Sequence, residues 1–108
     1  MIKAVFKRKS DTLLYVGLSG HANFVDEGYD MVCSAVSAVS ITIANGITQV
    51  LGIKPAINMH DGFLDIDLSH ISSDERLKCQ VLLETMLVGL KSMELNYSEY
   101  IKIVEEEV

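Results

Sequence analysis

Residues 56–68 have the sequence AINMHDGFLDIDL and carry the clearest structural signal in the chain. The central Asp61-Gly62 pair is a preferred two-residue turn between antiparallel strands. The turn predicts a β-hairpin with strands at 56–60 and 63–68, one face buried and the other mainly polar. In that register four apolar side chains share the buried face, with Met59 opposite Leu64 and Ile57 opposite Ile66.

A long helix is predicted before the hairpin, from about residue 30 to about residue 51. Gly52 and Pro55 follow it and are typical of a helix end. Many of its other residues are small, which allows close packing against a sheet or a partner. Apolar side chains spaced by three and four mark its inner face: Val32, Val36, Val39, Ile43, Ile47 and Val50.

A second helix is predicted after the hairpin. Ser72 as N-cap and Glu75 three residues later form a capping box, and the helical pattern ends near Asn96. Its apolar face consists of Cys79, Leu83, Met86, Leu90 and Met93.

Three further strands complete the prediction. In residues 2–8 the apolar side chains Ile2, Ala4 and Phe6 alternate with Lys3, Val5 and Lys7. Residues 12–20 are rich in Leu, Tyr and Val, and residues 99–104 can add a last strand. The order ββαββα(β) predicts a two-layer α+β fold, with a mixed or antiparallel sheet packed against two helices. The length of 108 residues fits a single domain spanning 1–108.

Composition narrows the function classes. The net charge of -6 disfavours binding to nucleic acid, because an acidic chain repels phosphate backbones. Lysines interrupt the N-terminus before any apolar run as long as a signal peptide, and we expect no stretch to reach the length needed to span a membrane. Two distant cysteines do not suggest a disulfide scaffold. We therefore expect a cytoplasmic protein with reduced thiols.

Cys33 and His21 are the residues best placed to do chemistry. If Asp30 is the N-cap of the first helix, Cys33 lies in its first turn, where unpaired N–H groups and the helix dipole favour a thiolate. His21 follows the second predicted strand, and the next loop leads into that helix. A cysteine activated by a neighbouring histidine is the arrangement that nucleophilic acyl transfer needs. Helix-start N–H groups could also stabilise an oxyanion.

Structural interpretations of the same residues stay open. A lone helix cysteine is commonly a small buried apolar residue, and Asp30 can serve as an N-cap alone. Ser37, one turn beyond Cys33, can bond within the site or simply pack. Cys79 lies on an apolar helix face, which indicates a core position. His60 beside the hairpin turn and His70 just before a helix are expected to be solvated. A metal site formed by His21, Cys33 and scattered acids lacks compact ligand spacing, so we expect neither a metal nor another cofactor.

Residues 20–22 (GHA) and 28–38 (GYDMVCSAVSA) resemble the Prp family of ribosomal-processing cysteine proteases. The similarity extends over nearly the whole chain and includes residues 85–90 (TMLVGL) of the second predicted helix. One departure is Ser34, which stands after the cysteine where close relatives are expected to have alanine.

The resemblance implies a protease that removes a short N-terminal extension from a bacterial large-subunit ribosomal protein. It assigns His21 as the catalytic histidine and Cys33 as the catalytic cysteine, and it associates Asp30 and Ser37 with the site. The enzyme is expected to be a homodimer.

The resemblance also matches residues 22–29 to a loop that closes on substrate. Gly20, Ala22 and Gly28 belong to this substrate loop, and the two glycines could act as its hinges.

Two other functions are also compatible with the sequence. The chain could be a non-enzymatic ribosome-associated binding module in which Cys33 only packs. It could also be a thiol-based redox sensor, although no resolving cysteine is near in sequence.

Overall fold

The computed structural model describes residues 1–20 and 27–108. Within these ranges the chain forms a mixed five-stranded sheet and two long helices, which confirms the predicted α+β class. The strand order is β3-β4-β2-β1-β5, and β5 pairs parallel with β1 while the other pairs are antiparallel. The elements are β1 Ile2–Lys9, β2 Thr12–Ser19, α1 Glu27–Asn45, β3 Ala56–His60, β4 Phe63–Asp67, α2 Ser73–Asn96 and β5 Ile101–Glu107.

The β3–β4 hairpin has the predicted register, with Ile57 opposite Ile66 and Met59 opposite Leu64. Leu64 and Ile66 are buried, but Met59 is 57% exposed, so the prediction of a fully buried face is wrong at this position. The reason is that β3 is an edge strand of the sheet. The end of its inner face projects beyond the helices and stays open to solvent.

The two faces of the sheet differ in chemistry. On the inner face Ile2, Ala4 and Phe6 of β1 are completely buried, as their alternation predicts. On the outer face the Lys7 ammonium lies 4.9 Å from the centre of the Tyr15 ring. The Tyr15 hydroxyl donates a hydrogen bond to Asp65 (3.2 Å). Both helices therefore cover one side of the sheet, and the other side is polar.

The first helix, α1, begins at Glu27, three residues before the predicted start. Its core side chains are those expected, except that Val50 is 84% exposed. The helix continues as a π-helical turn, Gly46–Val50, which rotates the last residues away from the predicted face. A Cβ at Gly46 would lie 3.1 Å from a methyl group of Leu82 in α2, so the two helices approach closely at this contact.

Residues Asp30–Val50 of this helical run are long and apolar enough to cross a membrane by length and composition. The expectation that no stretch reaches that length was therefore wrong. The apolar character is used for packing in this fold, because Val36, Ile43 and Ile47 are buried among the core residues of the sheet and α2.

The second helix, α2, has the predicted capping box, in which Ser72 and Glu75 bond each other's backbone N–H groups. Cys79, Leu83, Met86 and Leu90 are buried as predicted. Two parallel hydrogen bonds of 2.8 Å join Arg8 of β1 to Glu84.

The last strand, β5, is longer than predicted and lies parallel to β1. It places the turn that precedes it beside the start of β1. Ile101, the first residue of β5, pairs with Ile2 and is completely buried.

Candidate active site

Cys33 lies in the second turn of α1, not the first. Because the helix begins at Glu27, Asp30 is inside the helix and exposed, so its predicted role as N-cap is wrong. The N–H groups without an intrahelical acceptor are those of the first four helical residues. The amide of Cys33 is not among them, so the predicted placement of Cys33 beside unpaired N–H groups in the first turn is wrong.

The Cys33 side chain is half-buried and packs against the edge of the hydrophobic core. Its burial differs from that of Cys79, which is fully enclosed. Burial raises the pKa of the Cys79 thiol, and the nearby Glu75 carboxylate adds to this effect. A thiol held protonated in the core cannot act as a nucleophile. Of the two cysteines, Cys33 is the one that a substrate can reach, and the predicted core position of Cys79 is confirmed.

A groove of about 410 Å³ begins one helical turn after Cys33. Ser37 and Ser40 of α1 form part of its wall, and they share the helical face of Cys33 because they follow it by four and seven residues. Ser37 is half-buried, whereas Ser40 is buried and donates a hydrogen bond to the Val36 carbonyl (2.7 Å). The groove therefore extends the surface on which the thiol lies.

The β3–β4 hairpin forms the opposite wall of the groove. His60 and Phe63 also border the groove at the tip of the hairpin, and their rings stack with centres 4.9 Å apart and planes inclined by 17°. Met59 and Ile41 add exposed apolar surface on the two sides. A channel with apolar walls and a few hydroxyl and imidazole groups suits an extended peptide segment.

The end of β2 is fixed beside this groove. The Gly20 amide donates a hydrogen bond to the Gly62 carbonyl at the tip of the hairpin (3.2 Å). Gly20 has φ of +98°, and a Cβ there would overlap the Met1 carbonyl, so only glycine fits. His21 and Ala22, which follow directly, lie outside the described residues, and the predicted Cys33–His21 pair stays a prediction.

Gly28 lies inside the first turn of α1, where sequence analysis had placed a loop. A Cβ at this position would lie 2.5 Å from the hydroxyl oxygen of Tyr100. The contact gives Gly28 a packing function in the described structure, and its use as a hinge stays a prediction.

The two described histidines lie on the surface. His60 is exposed at the groove wall, and His70 is exposed just before α2. Within residues 1–20 and 27–108, no cluster of His, Cys, Asp and Glu side chains could hold a metal ion.

Sequence analysis missed the groove residues Ser40, Ile41, Met59, His60 and Phe63. Their signal was present in part, since the hairpin pattern placed Met59 on the inner face of a strand. The hairpin pattern does not reveal the strand order of the sheet. That order makes β3 an edge strand and leaves its inner face uncovered beside α1.

A half-buried cysteine on a helix near a groove in an α+β domain is compatible with a thiol-dependent hydrolase. The chain belongs to the Prp family of cysteine proteases, because the family model described as cysteine protease Prp matches residues 1–102. It is therefore a cysteine protease.

Individual relatives agree with this assignment. A Bacillus subtilis protein named ribosomal processing cysteine protease Prp is 30% identical over 107 residues, which cover 95% of this chain and 96% of the relative. A Staphylococcus aureus protein of the same name is 35% identical over 80% of each chain.

Solved structures share the fold. The Streptococcus mutans protein SMU.848 superposes with a TM-score of 0.87 at 32% identity, covering 100% of this chain and 96% of the other. The Staphylococcus aureus protease Prp, solved with a substrate peptide, gives a TM-score of 0.86 at 28% identity, covering 98% and 100%.

Proposed function

We propose that this enzyme removes an N-terminal extension from a bacterial large-subunit ribosomal protein. The observation that carries the proposal is the half-buried Cys33 on the helical face that continues into a peptide-sized groove. Support comes from the relatives, which are named ribosomal processing proteases, and from the Staphylococcus aureus relative solved with a substrate peptide.

In the proposed reaction Cys33 is the nucleophile and His21 is its base. His21 accepts the thiol proton, and the sulfur attacks the scissile carbonyl carbon to form a tetrahedral intermediate. The C–N bond then breaks as His21 protonates the departing amine, which leaves a thioester on Cys33. Water, deprotonated by His21, attacks the thioester, and the N-terminal fragment leaves as a carboxylic acid while the thiol is restored.

Asp30 and Ser37 are proposed to support the site in different ways. Ser37 lines the groove one turn from the sulfur and can donate a hydrogen bond to bound peptide. Asp30 is an exposed carboxylate one turn before Cys33. It is available to a basic substrate residue or to His21.

Charge favours the same type of substrate. The chain has a net charge of -6, whereas a ribosomal protein is typically basic, so attraction should assist encounter. Salt screens such attraction. We expect KM for the peptide to rise with ionic strength while kcat changes little; a KM independent of salt would remove the electrostatic part of the proposal.

We further propose a cytoplasmic homodimer without direct contact to nucleic acid or membrane. The outward face of α2 carries Leu77, Val81, Val88 and Leu95, which are 70%, 74%, 65% and 86% exposed. A row of apolar side chains opposite the buried face of a helix is typical of a contact surface. Light scattering at micromolar concentration tests this, with twice the 11.9 kDa chain mass expected and the chain mass alone contradicting it.

Peptide cleavage tests the proposed function. Wild-type enzyme and Cys33→Ala are incubated with a peptide spanning the N-terminal extension of the ribosomal protein from the same organism, and the products are identified by mass spectrometry. A peptide of the same composition in scrambled order is the substrate control. We expect a single cut in the native peptide by the wild type only. No cut by folded wild-type enzyme would contradict the substrate assignment.

A further inference from the structure

The side chain of Tyr100 ends against the first turn of α1. A Cβ on Gly28 would lie 2.5 Å from the Tyr100 hydroxyl oxygen and 2.9 Å from the ring carbon that bears it. Glycine is otherwise unfavourable inside a helix. Its presence at this position is explained by the tyrosine, which occupies the space that any larger residue would need.

The main chain around Tyr100 is held by hydrogen bonds and by burial of the next residue. The Tyr100 amide donates to the Tyr97 carbonyl (2.9 Å), and the Tyr100 carbonyl accepts from the Ile2 amide (2.8 Å). The next residue, Ile101, is completely buried at the start of β5. The ring packs against the hydrophobic core. The main chain therefore cannot move easily, and the hydroxyl end is a fixed point against α1.

Exposure changes along the described residues at the start of α1. Asp30 and Met31 are exposed, and burial of the helix begins at Val32. Cys33 follows Gly28 by five residues, which is about 7.5 Å along the helix axis. Since a short helical segment moves as one body, the contact at Gly28 fixes the position of the turn that carries Cys33.

We propose that Tyr100 is a positioning residue for Cys33. Its hydroxyl end holds the first turn of α1 so that the sulfur faces the groove at the correct depth. The inference rests on the proposed role of Cys33 as nucleophile. Displacement of a reacting group by about 1 Å can lower a rate by two orders of magnitude. A contact that sets the helix position therefore acts on kcat more than on substrate binding.

The test uses Tyr100→Phe, Gly28→Ala and the double variant. Tyr100→Phe removes only the hydroxyl oxygen, while Gly28→Ala adds a methyl group where that oxygen lies. Tyr97→Phe is the matched control, because Tyr97 belongs to the same turn before β5 and its side chain is 37% exposed. One readout is kcat and KM for the peptide. The other is the alkylation rate of Cys33 by iodoacetamide across pH, followed by mass spectrometry of the Cys33-containing fragment.

We expect each single variant to lower kcat about tenfold with KM within about twofold, and to change the rate and pH midpoint of Cys33 alkylation. The fold-decrease in kcat of the double variant should be smaller than the product of the two single decreases, because both changes act on one contact. Tyr97→Phe should match the wild type. Wild-type kcat and alkylation in Tyr100→Phe would overturn the proposal, as would strictly multiplicative losses in the double variant. Alkylation needs no peptide, so a wrong substrate assignment would be recognised separately.

Discussion

The Gly20 amide and the Gly62 carbonyl are joined by a hydrogen bond of 3.2 Å, which ties the end of β2 to the tip of the β3–β4 hairpin. Gly20 is therefore held at one wall of the groove, and Cys33 lies on the helix that forms the other wall.

Replacing Gly20 with alanine should damage both stability and activity. Its φ of +98° is strained for alanine, and the new methyl group would overlap the Met1 carbonyl. We expect the free energy of unfolding to fall by more than about 3 kcal/mol, measured by urea denaturation. Gly52→Ala is the control, because Gly52 also has positive φ (+67°) but a Cβ there meets nothing within 4 Å. Gly52→Ala should lower the free energy of unfolding by about 1 kcal/mol. Equal losses for the two variants would contradict the close contact between Gly20 and the Met1 carbonyl.

Met59→Glu should weaken substrate binding without unfolding the protein. Met59 is 57% exposed and contributes apolar surface to the groove. We expect KM to rise about tenfold, the effect of losing one apolar contact, while kcat and the melting temperature stay near wild type. Val50→Glu, at an 84% exposed position outside the groove and outside the proposed dimer surface, should leave KM unchanged. Equal KM values for Met59→Glu and the wild type would place the peptide elsewhere.

Cys79→Ala distinguishes the role of the buried thiol from that of Cys33. Because Cys79 is completely buried, its replacement should lower the free energy of unfolding by about 1–3 kcal/mol. The turnover number at a temperature where the variant is folded should equal that of the wild type. A variant with normal stability and no activity would show that Cys79 takes part in the chemistry.

The Arg8–Glu84 pair should make stability depend on pH in the acid range. The bidentate hydrogen bond from Arg8 lowers the pKa of the Glu84 carboxyl in the folded protein. The stability that the ion pair contributes is therefore complete above the pKa of glutamate in the unfolded chain, which is about 4.3. This stability is lost as the pH falls through the lower pKa that Glu84 has in the folded protein. Since Glu84 is 43% exposed, we expect only about 0.5–1 kcal/mol at neutral pH.

Glu84→Gln should be less stable than the wild type by that amount at pH 7, and the two proteins should converge as the pH falls below 4. Thermal or urea unfolding across pH measures this difference. A difference that is constant from pH 7 to pH 3 would mean that the carboxylate charge does not contribute.

Much of the fold can be predicted from local sequence patterns. The register of the hairpin follows from Asp61-Gly62 and a period of two, and the start of α2 follows from Ser72 and Glu75. These features depend on residues close together in sequence. The start of α1 was misplaced because Asp30 is a good N-cap residue, and nothing local indicates that the helix begins three residues earlier.

The site was predictable only in part. Cys33 and Ser37 follow from helical spacing, but the groove depends on which strand lies at the sheet edge. The contact between Gly28 and Tyr100 joins residues 72 positions apart, so no window of sequence contains it. Such contacts arise from packing of the whole domain and have no local signature.

Capture of the acyl-enzyme tests the nucleophile most directly. Wild-type enzyme is mixed with excess ribosomal-protein peptide, quenched in acid within the first turnover, and digested for mass spectrometry. We predict a thioester on Cys33, with an added mass equal to the N-terminal fragment minus one water. An adduct on Cys79, or peptide cleavage that persists in Cys33→Ala, would contradict the assignment of Cys33 as the nucleophile.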